Sequence, residues 1–200
     1  MGVIESAVDW ACRIANDNSH GYDQIHRQGP DYDCSSFVIN AYQQAGVPVK
    51  ANGASYTGNM KQAFLASGFY DVTSTCNLKT GDGMQEGDVL LVHSNKHQHT
   101  AIYLGGYREV EASINEKGTA TGGKTGDQTG REILIRPFRP SFYTTVLRYD
   151  ANPSANIDKV AQDVINGKYG NGIIRKRRLE ARGYNYLQVQ KRVNEMLRGR

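Results

Sequence analysis

Apolar residues recur every three or four positions in three stretches near the start of the chain, over residues 3–14, 37–45 and 60–65. This spacing places the apolar side chains on one face of a helix. Gly46 and Gly68 closely follow the second and third stretches, where glycine commonly ends a helix. The pattern therefore predicts three amphipathic helices.

Short runs rich in β-branched and aromatic residues follow these helices. They cover residues 69–72, 89–92, 100–104, 109–113, 132–135 and 145–148. Each run has the length of a strand, and turn residues separate the runs. Helices first and strands second predict an α+β domain over residues 1–149, with the second helix packed on a mostly antiparallel sheet.

The last part of the chain has a different character. Residues 150–156 are small and polar and include a proline, which is typical of a linker. Apolar positions in residues 157–165, 175–181 and 186–197 then predict three short helices, so residues 157–200 form a small bundle. Residues 1–153 carry 13 Lys and Arg against 16 Asp and Glu, whereas residues 154–200 carry 11 against 4. The tail is therefore a separate, basic unit.

The bulk properties narrow the class of protein. The 200 residues suffice for one medium domain with its own core and one small domain. Cys12, Cys34 and Cys76 lie far apart and form no metal-type pair, which favours free thiols in a reducing compartment. The N-terminus lacks a basic segment followed by an apolar run, and no stretch reaches the length of a membrane span. We therefore expect neither an export signal nor membrane insertion.

One cysteine is predicted to lie at the start of a helix, a position that favours the reactive thiolate form of the side chain. Turn residues at 29–31 precede Cys34, which begins the second predicted helix. Unpaired N–H groups and the helix dipole at that position favour the thiolate and can hold a developing oxyanion. The alternative is that Cys34 is an inert buried residue, which is the common fate of a free cysteine.

A histidine at the start of a strand supplies the matching base. His99 opens the strand predicted over residues 100–104, and His97 is the alternative base. A cysteine at a helix start followed by a histidine at a strand start is the chain order of papain-like thiol hydrolases.

Three ordered motifs carry a family resemblance. They are Asp-Cys-Ser-Ser-Phe-Val at residues 33–38, Glu-Gly-Asp-Val-Leu-Leu at 86–91 and His-Thr-Ala-Ile-Tyr-Leu-Gly at 99–105. Together they resemble the NlpC-like family of cysteine peptidases and amidases that cut bacterial peptidoglycan, and most of all its phage-lysin branch. The resemblance covers roughly residues 1–149 and implies a papain-like fold.

The resemblance also implies roles for single residues. It makes Cys34 the nucleophile, His99 the base and Tyr22 the hydroxyl that supports the oxyanion. Asp33 and Ser35 flank the nucleophile and are assigned to substrate binding. Such a thiol mechanism needs neither a metal nor another cofactor.

The third catalytic residue departs from the family pattern. Glu111 stands where the NlpC-like family usually has histidine, asparagine or glutamine. A carboxylate still accepts the imidazole N–H and stabilises imidazolium, so Glu111 is the predicted orienting residue. Glu109 and Asn115 are the alternatives for this role. Glu111 would otherwise be a solvated acid on the face of a strand, with no catalytic role.

Two other motifs point to different chemistry and are weaker. His93, His97, His99 and Asp88 lie close in sequence, but no HExxH helix or cysteine pair completes a zinc site. Residues 118–125 match the phosphate-loop pattern GxxxxGK[ST], yet residues 126–130 cannot begin the helix that this motif needs. We therefore expect a loop there, beside the substrate cleft.

The tail has a resemblance of its own. Motifs spread over residues 163–194 resemble the choline-independent wall-binding repeat of some phage lysozymes. The groups suited to a glycan and its peptide are Lys168, Tyr169, Asn171 and Arg175. A basic helical tail also suits nucleic acid, but its interleaved acidic residues favour a folded wall-binding module.

These features predict an endolysin-type hydrolase whose partner is bacterial peptidoglycan. The bond is an amide of the stem peptide, with an endopeptidase cutting after D-glutamate favoured over an N-acetylmuramoyl-L-alanine amidase. The resemblance implies synthesis in the host cytoplasm and release through a holin pore. The alternative from another class is a non-catalytic wall-binding protein. The sequence leaves the oligomeric state open.

Overall fold

The computed structural model describes residues 1–114, 118–150, 153–182 and 184–198. Within these ranges it confirms the predicted α+β class, because helices cover an antiparallel sheet and a small helical unit follows. Asn115, an alternative for the third catalytic residue, lies outside the described residues. No helix in the described ranges is long and apolar enough to cross a lipid bilayer.

The sheet has six strands in the order β1-β6-β2-β3-β4-β5, and all neighbouring strands are antiparallel. Each predicted strand is present with small shifts at its ends. Because β3 begins at Gln98, two residues before the predicted strand, His99 lies inside the strand and pairs with Val92 of β2. The strands are β1 (Phe69–Asp71), β2 (Val89–His93), β3 (Gln98–Gly105), β4 (Arg108–Ala112), β5 (Ile133–Pro137) and β6 (Thr145–Tyr149).

Three helices, α1 (Val3–Ala15), α2 (Cys34–Gln44) and α3 (Thr57–Ala66), cover one face of the sheet. Helix α2 packs on β3 and β4 and is buried along almost its whole length. Trp10 of α1 packs against Tyr32 and Phe37, with ring centroids 5.5 and 5.7 Å away. It is therefore a packing residue.

The opposite face of the sheet carries a second, smaller core. Since alternate residues of a strand point to opposite faces, His99 shares the face of Ala101 and Tyr103. Tyr103 pairs with Glu109 on β4, so Glu109 and Glu111 lie on this face as well. The strand pairing thus brings a histidine and two acids together. The buried members of this core are Val72, Leu90, Val92, Ala101, Tyr103, Phe138, Tyr143 and Val146.

The tail forms the predicted small bundle from α4 (Pro153–Ile165), α5 (Gly172–Glu180) and α6 (Tyr186–Arg198). Helix α4 begins inside the segment predicted as a linker. Proline suits the first turn of a helix because its missing N–H has no helical acceptor there. The buried core of the bundle consists of Val160, Ala161, Val164, Tyr169, Leu179, Val189 and Val193.

The bundle contacts the edge of the sheet at β1. The backbone N–H of Asp71 donates to the carbonyl of Arg182 at 3.3 Å. Arg182 Nη2 also donates to Ser74 Oγ at 3.0 Å. Tyr70 and Tyr184 stack with ring centroids 6.3 Å apart. The tail is thus seated against the α+β domain.

Candidate active site

The start of α2 is fixed by its own side chains. Asp33 Oδ1 accepts a hydrogen bond from the Ser36 N–H at 2.6 Å. In return Ser36 Oγ accepts from the Asp33 N–H at 2.9 Å. Reciprocal bonds of this kind satisfy two N–H groups at a helix start. They place Cys34 at the first helical position, as predicted.

Cys34 opens onto a groove of about 440 Å³. The residue is 8% exposed. His99 lines the same groove, although 65 positions separate the two residues in the sequence. The remaining lining residues are Tyr22, Gln24, Arg27, Asp33, Ser35, Tyr56, Thr57, Gln98, Ser113 and Ile114.

The pKa of the Cys34 thiol is raised, whereas its position at a helix start predicted a lowered pKa. Burial, and next the charge of Asp33, raise the pKa of Cys34 to about 12. Backbone N–H groups of Thr100 and Ser35 at the sulfur favour the thiolate but do not outweigh these effects. The expectation that the helix start lowers this pKa is therefore wrong. A thiolate at neutral pH requires a neighbouring base.

His99 is held by one of its two ring nitrogens. Nε2 lies 2.5 Å from Glu111 Oε2, and both residues are buried. The carboxylate can only accept, so Nε2 carries the proton of a neutral imidazole. Nδ1 is then the nitrogen left to act as a base. His97, the alternative base, is exposed and is not among the described residues that line the groove.

Glu111 is fully buried and lies among positive groups. Arg136 Nη1 donates to its Oε1 at 3.2 Å, and Arg139 Nη2 donates to its Oε2. Burial alone would raise the pKa of Glu111, but the hydrogen bond from His99 and the neighbouring positive charges lower it on balance. Glu109 instead bonds Arg139 and Tyr143. The structure thus places Glu111, and not Glu109, against His99.

Tyr22 reaches the groove with its hydroxyl group. Gln24 Nε2 donates to the Tyr22 hydroxyl oxygen at 3.0 Å, which leaves the O–H free to donate. Burial, and next the proximity of Cys34, raise the pKa of Tyr22 well above its usual range. The hydroxyl therefore stays protonated over the whole working range of a hydrolase. The backbone N–H of Tyr22 donates to Glu132 Oε2 at 2.8 Å and fixes this segment.

Arg27 lines the same groove as Cys34. Its Nη1 donates to Asp33 Oδ2 at 2.6 Å and to Ser35 Oγ at 3.1 Å. Its Nη2 donates to the carbonyl of Ser55 at 2.8 Å. The residues predicted to bind substrate, Asp33 and Ser35, are thus already bonded to a cation and to the helix start. Their first role in this structure is to shape the groove.

Three of the four residues predicted to bind the wall lie at the surface of the bundle. Lys168 pairs with Asp163 at 2.7 Å and keeps 63% of its side chain exposed. Arg175 Nη2 donates to Asn171 Oδ1 at 2.9 Å, and Nη1 donates to Gln190 Oε1 at 3.1 Å. These polar side chains remain open to a ligand.

Tyr169 is placed differently. Only 5% of the residue is exposed, and its ring belongs to the core of the bundle. The Arg182 guanidinium lies 5.3 Å from the ring centroid and donates to the hydroxyl group at 3.1 Å. Of the four residues predicted to suit a glycan and its peptide, Tyr169 is thus the one whose ring and hydroxyl are covered, by the packing of the bundle and by Arg182.

Known families match both parts of the chain. A profile of the endolysin-like domain matches residues 28–108 and 110–174, which is more than half of the chain. The chain belongs to the endolysin-like domain family. A profile of the CW_7 repeat matches residues 158–197, so this endolysin-like chain carries such a repeat in its tail. The two resemblances predicted from the motifs are confirmed.

Solved structures similar to the endolysin-like chain come from NlpC/p60 proteins. RipA, a resuscitation promoting factor interacting protein, has 21% identity over 73% of this chain, with a TM-score of 0.43. This chain spans 63% of the RipA chain. The NlpC/p60 domain of the peptidoglycan hydrolase SagA has 17% identity, a TM-score of 0.42, and coverage of 72% of this chain and 97% of that one.

RipD of Mycobacterium tuberculosis, described as a non-catalytic NlpC/p60 protein adapted to peptidoglycan binding, has 15% identity and a TM-score of 0.44. The match covers 74% of this chain and 96% of RipD. No curated protein matches the endolysin-like chain significantly.

The two weaker motifs of the endolysin-like chain are the histidine group near residue 93 and the phosphate-loop pattern at residues 118–125. Among the described residues, no three His, Cys, Asp or Glu side chains group as metal ligands. His93 Nδ1 instead lies 3.1 Å from Thr57 Oγ1. Residues 118–125 form no helix, and neither do residues 126–131. This loop lies on the Tyr22 segment, since Asp23 accepts from the Gly122 N–H at 3.1 Å.

Three arginines at the site were not found from the sequence. Arg27 bonds Asp33 next to Cys34, and Arg136 and Arg139 bond Glu111. Arg136 and Arg139 lie 25 and 28 positions from Glu111. Their arrival depends on how β4 pairs with β5, and no local pattern reports that register. For Arg27, the sequence signal was its position close to Cys34 and next to the turn residues at 29–31.

Proposed function

We propose that this endolysin-like protein is a peptidoglycan hydrolase that cuts an amide bond with Cys34 as nucleophile. The observation that carries the proposal is that Cys34 and a carboxylate-bound His99 line one groove. A thiol hydrolase needs a base within reach and an orienting group on the other ring nitrogen. The pair Glu111 and His99 supplies both.

The reaction proceeds in two halves. His99 Nδ1 takes the proton of the Cys34 thiol, and the sulfur attacks the carbonyl carbon of the amide. The Tyr22 O–H and the N–H groups at the start of α2 donate to the oxyanion that forms. Imidazolium then gives its proton to the leaving amine as the C–N bond breaks. A water molecule, deprotonated by His99, hydrolyses the acyl-enzyme and restores the thiol.

The raised pKa of Cys34 fits a nucleophile that is activated only by its base. At neutral pH a thiol with a pKa of about 12 holds almost no thiolate by itself. Proton transfer to His99 forms a thiolate next to imidazolium, and Glu111 stabilises the imidazolium. Attack thus depends on all three side chains acting together.

The substrate we propose is the stem peptide of the wall, cut after D-glutamate. An N-acetylmuramoyl-L-alanine amidase would use the same groove and is the alternative. The CW_7 repeat concentrates the enzyme on the wall, with Lys168, Asn171 and Arg175 as the exposed groups that meet it. We place its action after release from the host cytoplasm through a holin-type pore.

The test is mass analysis of fragments that the purified protein releases from purified wall. New amino termini inside the stem identify an endopeptidase, whereas intact stems freed from muramic acid identify an amidase. Cys34→Ala should abolish release but still sediment with wall. A wild-type protein that sediments but releases no fragment would be a binding protein, and release that persists in C34A but stops with a chelator would indicate a metal enzyme.

A further inference from the structure

Behind His99 lies a group of buried charges that the steps above do not use. We call Glu109, Glu111, Arg136 and Arg139 the charge cluster. Both glutamates are 0% exposed, and they lie two residues apart on one face of β4. Two neighbouring carboxylates in a buried site do not both ionise unless cations compensate them. The arginines therefore decide which acid carries a charge.

Arg139 bridges the two acids. Its Nε donates to Glu109 Oε1 at 2.7 Å, and its Nη2 donates to Glu111 Oε2, the oxygen that also contacts His99. The guanidinium lies over the ring of Phe142, 4.3 Å from the centroid. Arg136 reaches only the second oxygen of Glu111, at 3.2 Å. Arg139 thus touches both acids, and Arg136 touches one.

The two acids differ in their remaining surroundings. Tyr143 donates its O–H to Glu109 Oε1 at 2.9 Å, whereas the His99 imidazole contacts Glu111. Burial raises the pKa of Glu109 despite the charge of Arg139. The pKa of Glu111 is lowered, because His99 and both arginines outweigh burial. Paired acids whose environments separate them in this way take different protonation states.

We propose that Arg139 is a positioning residue for the base, which keeps Glu111 as the anion of the charge cluster and so holds His99 with Nδ1 toward the nucleophile. This inference rests on the proposed Cys34 and His99 pair. Without the Arg139 charge, Glu111 keeps only Arg136 as a cationic donor, and Glu109 loses the arginine that it contacts. Glu111 then takes up a proton at higher pH, and imidazolium loses its counter-charge.

The expected consequence is that the thiolate and imidazolium pair forms only at higher pH. Protonation of Glu111 removes the counter-charge of imidazolium and so moves the acidic limb of Cys34 reactivity to higher pH. Iodoacetamide reacts with any thiolate, so the alkylation rate should show no decline at high pH. A shift of one pH unit changes the rate on the acidic limb by about tenfold.

The experiment follows alkylation of Cys34 by iodoacetamide from pH 5 to 10 in the full chain, with mass spectrometry of the Cys34 peptide. Arg139→Gln should lower the rate on the acidic limb by about tenfold. Arg139→Gln combined with Glu109→Gln removes one charge of each sign and should restore most of the wild-type profile. Arg148→Gln is the matched control, since Arg148 pairs with buried Asp88 at 2.6 Å outside the groove.

The outcomes separate positioning from structure. A wild-type profile in R139Q, or no recovery in the double variant, would overturn the proposal. If R139Q does not fold, Arg139→Lys and the double variant carry the test, because an ammonium keeps the charge but cannot bridge both acids. Alkylation needs no wall substrate. Profiles that move as expected while wild type releases no wall fragments would support the positioning role and refute the hydrolase proposal.

Discussion

Replacing Asp33 should weaken the fold and at the same time make the neighbouring thiol more reactive. Asp33 Oδ1 accepts from the Ser36 N–H at 2.6 Å and from Ser35 Oγ at 2.8 Å. Asp33 Oδ2 accepts from Arg27 at 2.6 Å. Its charge is also the largest cause, after burial, of the raised pKa of Cys34. One carboxylate thus stabilises the helix start and holds the thiol protonated.

The magnitude follows from these contacts. Asp33→Ala removes a helix cap, which costs about 1 kcal/mol. It also leaves Arg27 without its acid, and because 24% of that side chain is exposed, solvent limits this loss to about 1 kcal/mol. The total of about 2 kcal/mol should lower Tm by about 4–8 °C for a chain of this size. Asp33→Asn keeps an acceptor for Ser36 and should lose about half as much.

The assay joins thermal denaturation by circular dichroism to alkylation of Cys34 at fixed pH. Removing a negative charge beside a thiol lowers its pKa, so the thiolate fraction and the alkylation rate should rise in both variants. Cys12 and Cys76 serve as internal controls, because Asp33 is not among the causes that raise their pKa values. A D33A protein that melts within about 1 °C of wild type, or slower alkylation in D33N, would refute the reasoning.

Two further predictions concern the groove. Tyr22→Phe removes one oxyanion donor and should lower kcat for wall-fragment release by about 10²–10³ with little change in KM, as measured on soluble muropeptides. A rise in KM with an unchanged kcat would contradict this role. His99→Ala should abolish release, whereas His97→Ala should retain most of it, because His97 lies outside the groove. Equal losses in the two histidine variants, compared at matched folded concentrations, would count against the assignment of the base.

Local patterns were sufficient for much of the site. The polar residues before α2 and the apolar spacing within it placed Cys34 at a helix start, and capping by Asp33 and Ser36 confirms the physical reason. The strand signal at residues 100–104 located His99 to within one residue of the strand start. Glu111 was placed through the resemblance, and strand pairing brings it to His99.

The remaining features depend on contacts distant in sequence. The pKa of Cys34 rises because tertiary packing buries the sulfur, which a local helix-dipole argument does not include. Arg139 reaches Glu111 only after β5 has paired with β4 and the chain has turned back. Tyr169 is buried because it packs among the apolar side chains that form the core of the small bundle.

The hydrogen bonds that join Arg182 to Asp71 of β1 and to Ser74 would limit how a hydrolase of this kind moves over the wall. A repeat on a long flexible tether would let the catalytic groove sample many bonds around one anchoring point. Here the repeat is seated against the domain that is proposed to cut. If the repeat binds the wall as proposed, the groove can reach only the few bonds close to each binding position. Cleavage of more distant bonds then requires the protein to dissociate and bind again.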